Sequence, residues 1–156
     1  MITTTESVAN TLERELMLTL ERWMVRVEEV PALMSVTLSY ESRIGHLPSL
    51  LQDLVIRLRL DDDAARSPAS AAREQGVLRL HQGYSVPMLV EDWRLLQVSL
   101  FDTLRRNQDQ LDPDLVMQGV VIIADECDAQ LREIVEAFIE AEQEIDQKVK
   151  KVVSIN

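Results

Sequence analysis

From Met117 to Ile155 apolar side chains recur in alternating steps of three and four: Met117, Val120, Ala124, Cys127, Leu131, Ile134, Phe138, Ala141, Ile145, Val152 and Ile155. Lys148 is the one charged member of this seam. A heptad stripe sustained this long reads as one continuous helix, and Asp112-Pro113 supplies its cap and first-turn proline. At 1.5 Å per residue the helix spans about 60 Å. That outruns any compact bundle a chain of 156 residues can build. The chain is therefore expected to form one helical domain over 1–156, with 135–156 projecting from it as an output or dimerisation helix.

The rest of the sequence repeats the helical period. Leu12, Leu16, Leu20, Trp23 and Val27 place one amphipathic helix over about 5–29, which Pro31 ends. A short helix from Ser39 is expected, then one opened by Pro48 and carrying Leu50, Leu51, Leu54, Val55 and Leu58. The acidic run Asp61-Asp62-Asp63 opposes the negative end of that helix and marks its exit; 61–67 reads as the mobile connection. Ser67-Pro68 opens a helix over about 68–82, closed by Gly83. Ser85 and Pro87 open the next, with Leu89, Val90, Trp93, Leu96, Leu100, Phe101 and Leu104 on one face. An average chain of this length has about 19 Gly plus Pro, whereas this one has 4 and 5, too few to punctuate an all-β fold. The fold class is thus all-α, a bundle of about five helices with a long C-terminal helix. Its core is expected from Trp23, Leu50, Leu54, Leu89, Trp93, Leu96, Phe101, Leu115 and Leu131.

Composition also narrows function. With 16 basic against 27 acidic residues the net charge is −11, which argues against binding to nucleic acid or to anionic lipid. No segment offers the roughly 20 apolar residues of a membrane span, and the first residues lack a signal peptide's basic and apolar regions. A cytoplasmic location is expected. Cys127, the single cysteine, lies in an apolar helical pattern and reads as a small core residue.

Reactive constellations are sparse. There is no glycine-rich phosphate loop, and neither His46 nor His81 has a metal-ligating partner one turn away. Three consecutive carboxylates at 61–63 lack the alternating spacing of a calcium loop. Asp125, Glu126 and Asp128 read as the wet face of the last helix. His46 at a helix entrance suits capping or packing, and His81 suits the last turn of its helix, where a cation meets the dipole. No catalytic residue, metal site or cofactor is expected.

One stretch stands out, from Ala71 to Ser85. Gly76 in mid-helix costs about 1 kcal/mol against alanine, which points to another backbone passing close to it, along a strip shared with Ala72. Gln75 and Arg79 lie beside that strip, and the following helix brings Asp92, Trp93 and Gln97. A short Gly-Tyr-Ser turn makes the two helices antiparallel neighbours, so Arg79 can reach Asp92. Two readings of this polar cluster stand: an ion pair that fixes the hairpin, or a pocket that senses a small-molecule signal.

At these residues the sequence resembles the helical N-terminal sensor domain of RsbRD-type stressosome co-antagonists, which also precedes some histidine kinase domains. The shared pattern is Trp23 in the first helix, His46-Leu47-Pro48-Ser49-Leu50-Leu51 at a helix entrance, then Ala72, Gly76, Arg79, Gly83 and Leu96. The resemblance covers about residues 15–110. Four positions depart: Gln75 stands where the family has His, Asp92 where it has Glu, Trp93 where it has Tyr, and Gln97 where it has Arg. Glutamine cannot take a proton or phosphoryl group near neutral pH, so Gln75 carries no such role.

The resemblance implies a non-enzymatic stress-response input domain that passes a signal through its last helix to an output domain or partner protein. A chain ending at Asn156 is then expected to be a sensory fragment or a stand-alone relative. A helical adaptor and a phosphotransfer protein are the alternatives. A homodimer is expected through Ile134, Phe138, Ala141, Ile145 and Val152. Parallel pairing would bring both C-termini to one end; Glu140, Glu142, Glu144 and Asp146 on the flanks would make it tighten with moderate salt.

Overall fold

The computed structural model describes residues 7–60 and 69–155. Among these residues the fold is all-α, with no strand. The expected first helix is two: α1 (Val8–Arg14) and α2 (Leu16–Glu28). The break falls at Glu15, whose backbone leaves helical geometry at φ −98°, ψ 14°. There the carboxylate turns inward and accepts from the Asn107 side-chain amide at 3.2 Å. A hydropathy pattern cannot register that break, because the apolar spacing continues across it. The expected start of this helix at residue 5 lies outside the described residues.

Pro31 stops α2 and begins α3 (Pro31–Met34), since its missing N–H is no loss in a first turn. Ser39 caps α4 (Tyr40–Ile44), accepting from the Ser42 amide at 3.1 Å. α5 (Leu47–Arg59) follows with His46 at its N-cap position and proline in its first turn. The acidic run 61–63, the connection 61–67 and the Ser67-Pro68 cap all lie outside the described residues. α6 (Ser70–His81) ends ahead of Gly83, whose φ of +91° is one that glycine adopts without strain. α7 (Val86–Arg106) is capped by Ser85, a 3₁₀ turn covers Gln108–Gln110, and α8 (Pro113–Ile155) runs for 43 residues.

Trp23, Leu50, Leu54, Leu89, Trp93 and Leu96 are buried, as the sequence suggested. Phe101 and Leu131 are half-buried against that core. Leu115 is 45% exposed and is no core residue. The reason is a rotation of the inward stripe of α8: its buried positions are Gly119, Ile123, Glu126, Cys127, Gln130, Ile134, Ala137 and Phe138. Gly119 faces inward because Val8 of α1 packs where a side chain would stand, 3.0 Å from an ideal Cβ. Gln130 faces inward because its amide donates to the Leu50 carbonyl at 3.0 Å. Glu126 is likewise buried, in reach of Arg57, so it leaves the wet face on which Asp125 and Asp128 remain.

α8 packs on α5, α6 and α7, and α2 packs on α7. The α2–α7 contact is partly polar, with the Thr19 and Thr103 hydroxyls 2.7 Å apart and Arg26 bonded to Ser99. From 142 to 155 every residue of α8 is exposed, so about 20 Å of helix extends past the body.

Candidate functional site: the α6–α7 polar junction

α6 is only weakly amphipathic, and the face it buries is Ala72, Gln75, Gly76 and Arg79. Gly76 makes this burial possible. A Cβ on it would stand 2.2 Å from the Ile134 carbonyl oxygen and 3.1 Å from the Phe138 nitrogen, so α6 and α8 touch backbone to backbone. The expectation of a close backbone at Gly76 is met by α8. Ile134 and Phe138 are each 2% exposed, held against α6 within the same chain. Their place in a dimer seam is thereby corrected: a glycine opposite them lets α6 cover them first.

The contact of α6 with α8 aims Gln75 and Arg79 into the centre of the bundle. Gln75 accepts from the His46 backbone N–H at 2.9 Å and so ties α6 to the entrance of α5. Arg79 is fully buried. Its guanidinium lies 4.5 Å from the centroid of the Tyr84 ring, donates to Gln82 Oε1 at 2.7 Å and to the Arg43 carbonyl, and faces Asp92 Oδ2 at 3.2 Å. The Arg79–Asp92 pair read from the hairpin is therefore present, and it is buried on both sides.

Arg43, Gln82, Tyr84 and Trp23 complete the junction and were missed as its members. Arg43 donates to the Leu33 and Val36 carbonyls at 3.1 and 2.7 Å and to the Tyr84 hydroxyl at 3.4 Å, which fastens the loop after α3 onto α4. Trp23 donates to the backbone carbonyl of Asp92 at 3.2 Å, while Trp93 donates to that of Cys127 at 2.8 Å. Gln97 is half-buried one turn further along α7, outside these contacts. The Tyr84 phenol, sitting beside Arg79 in the sequence-selected stretch, offered a signal; Arg43, an arginine in a short segment without clear period, offered none.

Two atoms in this centre have no hydrogen-bond partner: Asp92 Oδ1 and Arg79 Nε. Burial pushes the Asp92 carboxyl up to about 6, against the opposing pull of the Arg79 guanidinium. Burial also raises the Tyr84 phenol. Cys127 is buried at the α7–α8 contact, and desolvation, with Asp128 and Glu126 nearby, pushes its thiol up to about 12. Among the described residues no three His, Cys, Asp or Glu side chains gather as a metal cluster.

An open groove of about 760 Å³ lies beside the junction, between α6 and α8. Val77, Leu78, Ala137, Ala141 and Ile145 give it apolar walls, and His46 and His81 also line it. His46 Nδ1 sits 3.7 Å from a Glu74 carboxylate oxygen. Of the remaining seam residues, Ala141 is half-buried at this groove, and Ile145 and Val152 are 42% and 63% exposed.

The fold is an all-α bundle in which the longest helix, α8, packs on both α6 and α7, the two helices that Arg79 and Asp92 join. More particularly, the chain belongs to the family described as the RsbT co-antagonist protein rsbRD N-terminal domain, whose model matches residues 19–149. The match takes in α2 through most of α8, further than the resemblance over 15–110 reached. The family is a regulatory one connected with the stressosome. No curated protein and no solved structure matches this chain. No helix among the described residues is long and apolar enough to cross a membrane.

Proposed function

We propose that this chain is a non-enzymatic sensory and regulatory domain of the bacterial cytoplasm that relays a change in its α6–α7 junction through α8 to an output domain or partner protein. The observation that carries the reading is the double hold on α8. Arg79 and Asp92 join α6 to α7; α6 grips α8 through Gly76 at Ile134, and α7 grips it through the Trp93 indole on the Cys127 carbonyl. Any signal that separates the pair relaxes both holds together, and the exposed end of α8 carries the displacement outward. Packed interfaces of this kind switch between discrete arrangements rather than deform smoothly.

Spin labels at exposed Val98 on α7 and exposed Val149 on α8 test the relay. Pulsed electron resonance should show a shifted or broadened distance distribution in Arg79→Met relative to the unsubstituted protein, with helical content retained. Identical distributions in folded samples would uncouple the junction from α8 and end the relay reading.

A further inference from the structure

Positive charge gathers at one place on this acidic chain, the outer cleft between α2 and α7. From Trp93 to Asn107 the only acidic residue is Asp102, against Arg94, Arg105 and Arg106. α2 runs antiparallel to α7, setting Thr19 by Thr103 and Arg26 by Ser99. Three guanidiniums thereby converge on the buried Asp102 carboxylate: Arg105 at 2.6 Å, Arg106 at 3.0 Å and Arg26 at 3.4 Å. Arg22 joins them from α2, donating to the Thr103 hydroxyl at 3.1 Å.

One carboxylate cannot balance this group. Arg22, Arg26, Arg105 and Arg106 bring four positive charges against the two negative charges of Asp102 and Glu29, the acids that line the cleft, which leaves two in excess. Glu21 and Glu28 of α2 stand outside the lining. The C-terminal end of α7 adds only about half a negative charge. The excess is felt at Asp102, whose carboxyl Arg105, Arg106 and Arg26 hold well below the usual carboxylate range.

These arginines surround a hollow. The cleft measures about 320 Å³ and is lined by Arg22, Val25, Arg26, Glu29, Asp102 and Arg106. Both Asp102 oxygens are already engaged, Oδ1 by Arg105 and Oδ2 by Arg106. A guanidinium carries five N–H donors, whereas Arg22 and Arg106 each spend one on the contacts described. Such planar forks take phosphoryl oxygens two at a time, and a phosphoryl group near pH 7 carries about the two negative charges that the cleft lacks. The volume lies at the lower end of small-molecule pockets, about 300–1,000 Å³, so there is room for more than the phosphoryl group. We infer that the α2–α7 cleft binds a small phosphate ester: Arg22 and Arg106 hold the phosphoryl group from the two helices, Arg26 and Arg105 stay on Asp102, and Val25, which is exposed, backs the organic part. The site is separate from the Arg79–Asp92 junction, and it stands independently of the relay reading.

Amide correlation spectra of the full chain decide it, with glucose 6-phosphate and inorganic phosphate as probes and chloride adjusted to hold ionic strength constant. Signals from 22–29 and 99–107 should move saturably with glucose 6-phosphate, and inorganic phosphate should bind about threefold more weakly. Arg22→Gln and Arg106→Gln leave Asp102 its Arg26 and Arg105 partners, and each should weaken binding about fivefold with helical content kept. Arg132→Gln, exposed on α8, should leave the affinity unchanged. Shifts no larger than those chloride produces would overturn the site. So would an affinity indifferent to both cleft variants in folded protein, or one lost equally in Arg132→Gln. Inorganic phosphate binding as tightly as the sugar phosphate would overturn the ester.

Discussion

Asp92 makes the stability of this domain depend on pH in a direction opposite to that of an ordinary surface carboxylate. In the folded chain its carboxyl is pushed up to about 6, from 3.8 in the unfolded one, because burial outweighs the attraction of Arg79. The folded state therefore binds the proton more tightly than the unfolded state, and the stabilisation from protonated Asp92 is complete below pH 3.8 and lost as pH rises through 6. The full difference amounts to about 3 kcal/mol, of which about 2 kcal/mol is recovered between pH 7 and pH 4.5. Asp92→Asn removes this titration and keeps the shape. Urea unfolding, followed by the fluorescence of buried Trp23 and Trp93, is run on both proteins across that range. The stability of the wild type relative to Asp92→Asn should rise by about 2 kcal/mol on going to pH 4.5, or about 4–8 °C in melting temperature. Taking the difference cancels titrations common to both, such as that of Asp102, which Arg105, Arg106 and Arg26 hold well below the usual carboxylate range. Two curves that run parallel from pH 7 to pH 4.5 would refute the buried, proton-hungry carboxylate.

Two further outcomes follow from the same junction. Arg79→Met and Asp92→Leu should each cost about 3–5 kcal/mol, with Asp92→Leu the worse because Arg79 cannot discard its charge whereas Asp92 can take up a proton; the double variant should recover part of the loss, and strictly additive unfolding energies would show the pair uncoupled. Gly76→Ala should lower stability by about 1–3 kcal/mol despite alanine's better helix propensity, because the added methyl meets the Ile134 carbonyl oxygen at 2.2 Å and neither backbone can yield cheaply; a melting temperature equal to or above that of the wild type would mean that α6 and α8 stand further apart.

Legibility in the sequence followed chemistry that leaves a periodic or covalent mark. The helices at 47–59, 86–106 and 113–155 announce themselves through apolar spacing together with prolines and caps, and Gly76 announces a backbone neighbour because nothing else excuses a glycine in mid-helix. The Arg79–Asp92 pair was within reach for a related reason: a tight turn fixes which side chains of a hairpin stand opposite one another. The break at Glu15 was hidden, since a buried carboxylate held by Asn107, far along the chain, leaves the surrounding apolar pattern intact. Arg43 was hidden in the same way, because its partners are the carbonyls of Leu33 and Val36, which every residue possesses.

The seam of α8 shows most clearly where pattern reading stops. A heptad stripe states which residues seek cover but not from whom, and the stripe divides its allegiance along its length. Met117 at its start is exposed, but from Ile123 to Phe138 the cover is internal, and the inward face admits Gly119, Glu126 and Gln130, residues that a hydropathy count assigns to solvent. Beyond Ala141 every described residue of the helix is exposed, and the stripe narrows to Ile145, Val149, Val152 and Ile155. Apolar periodicity is the same whether a helix is read forwards or backwards, so it cannot choose between parallel and antiparallel partners.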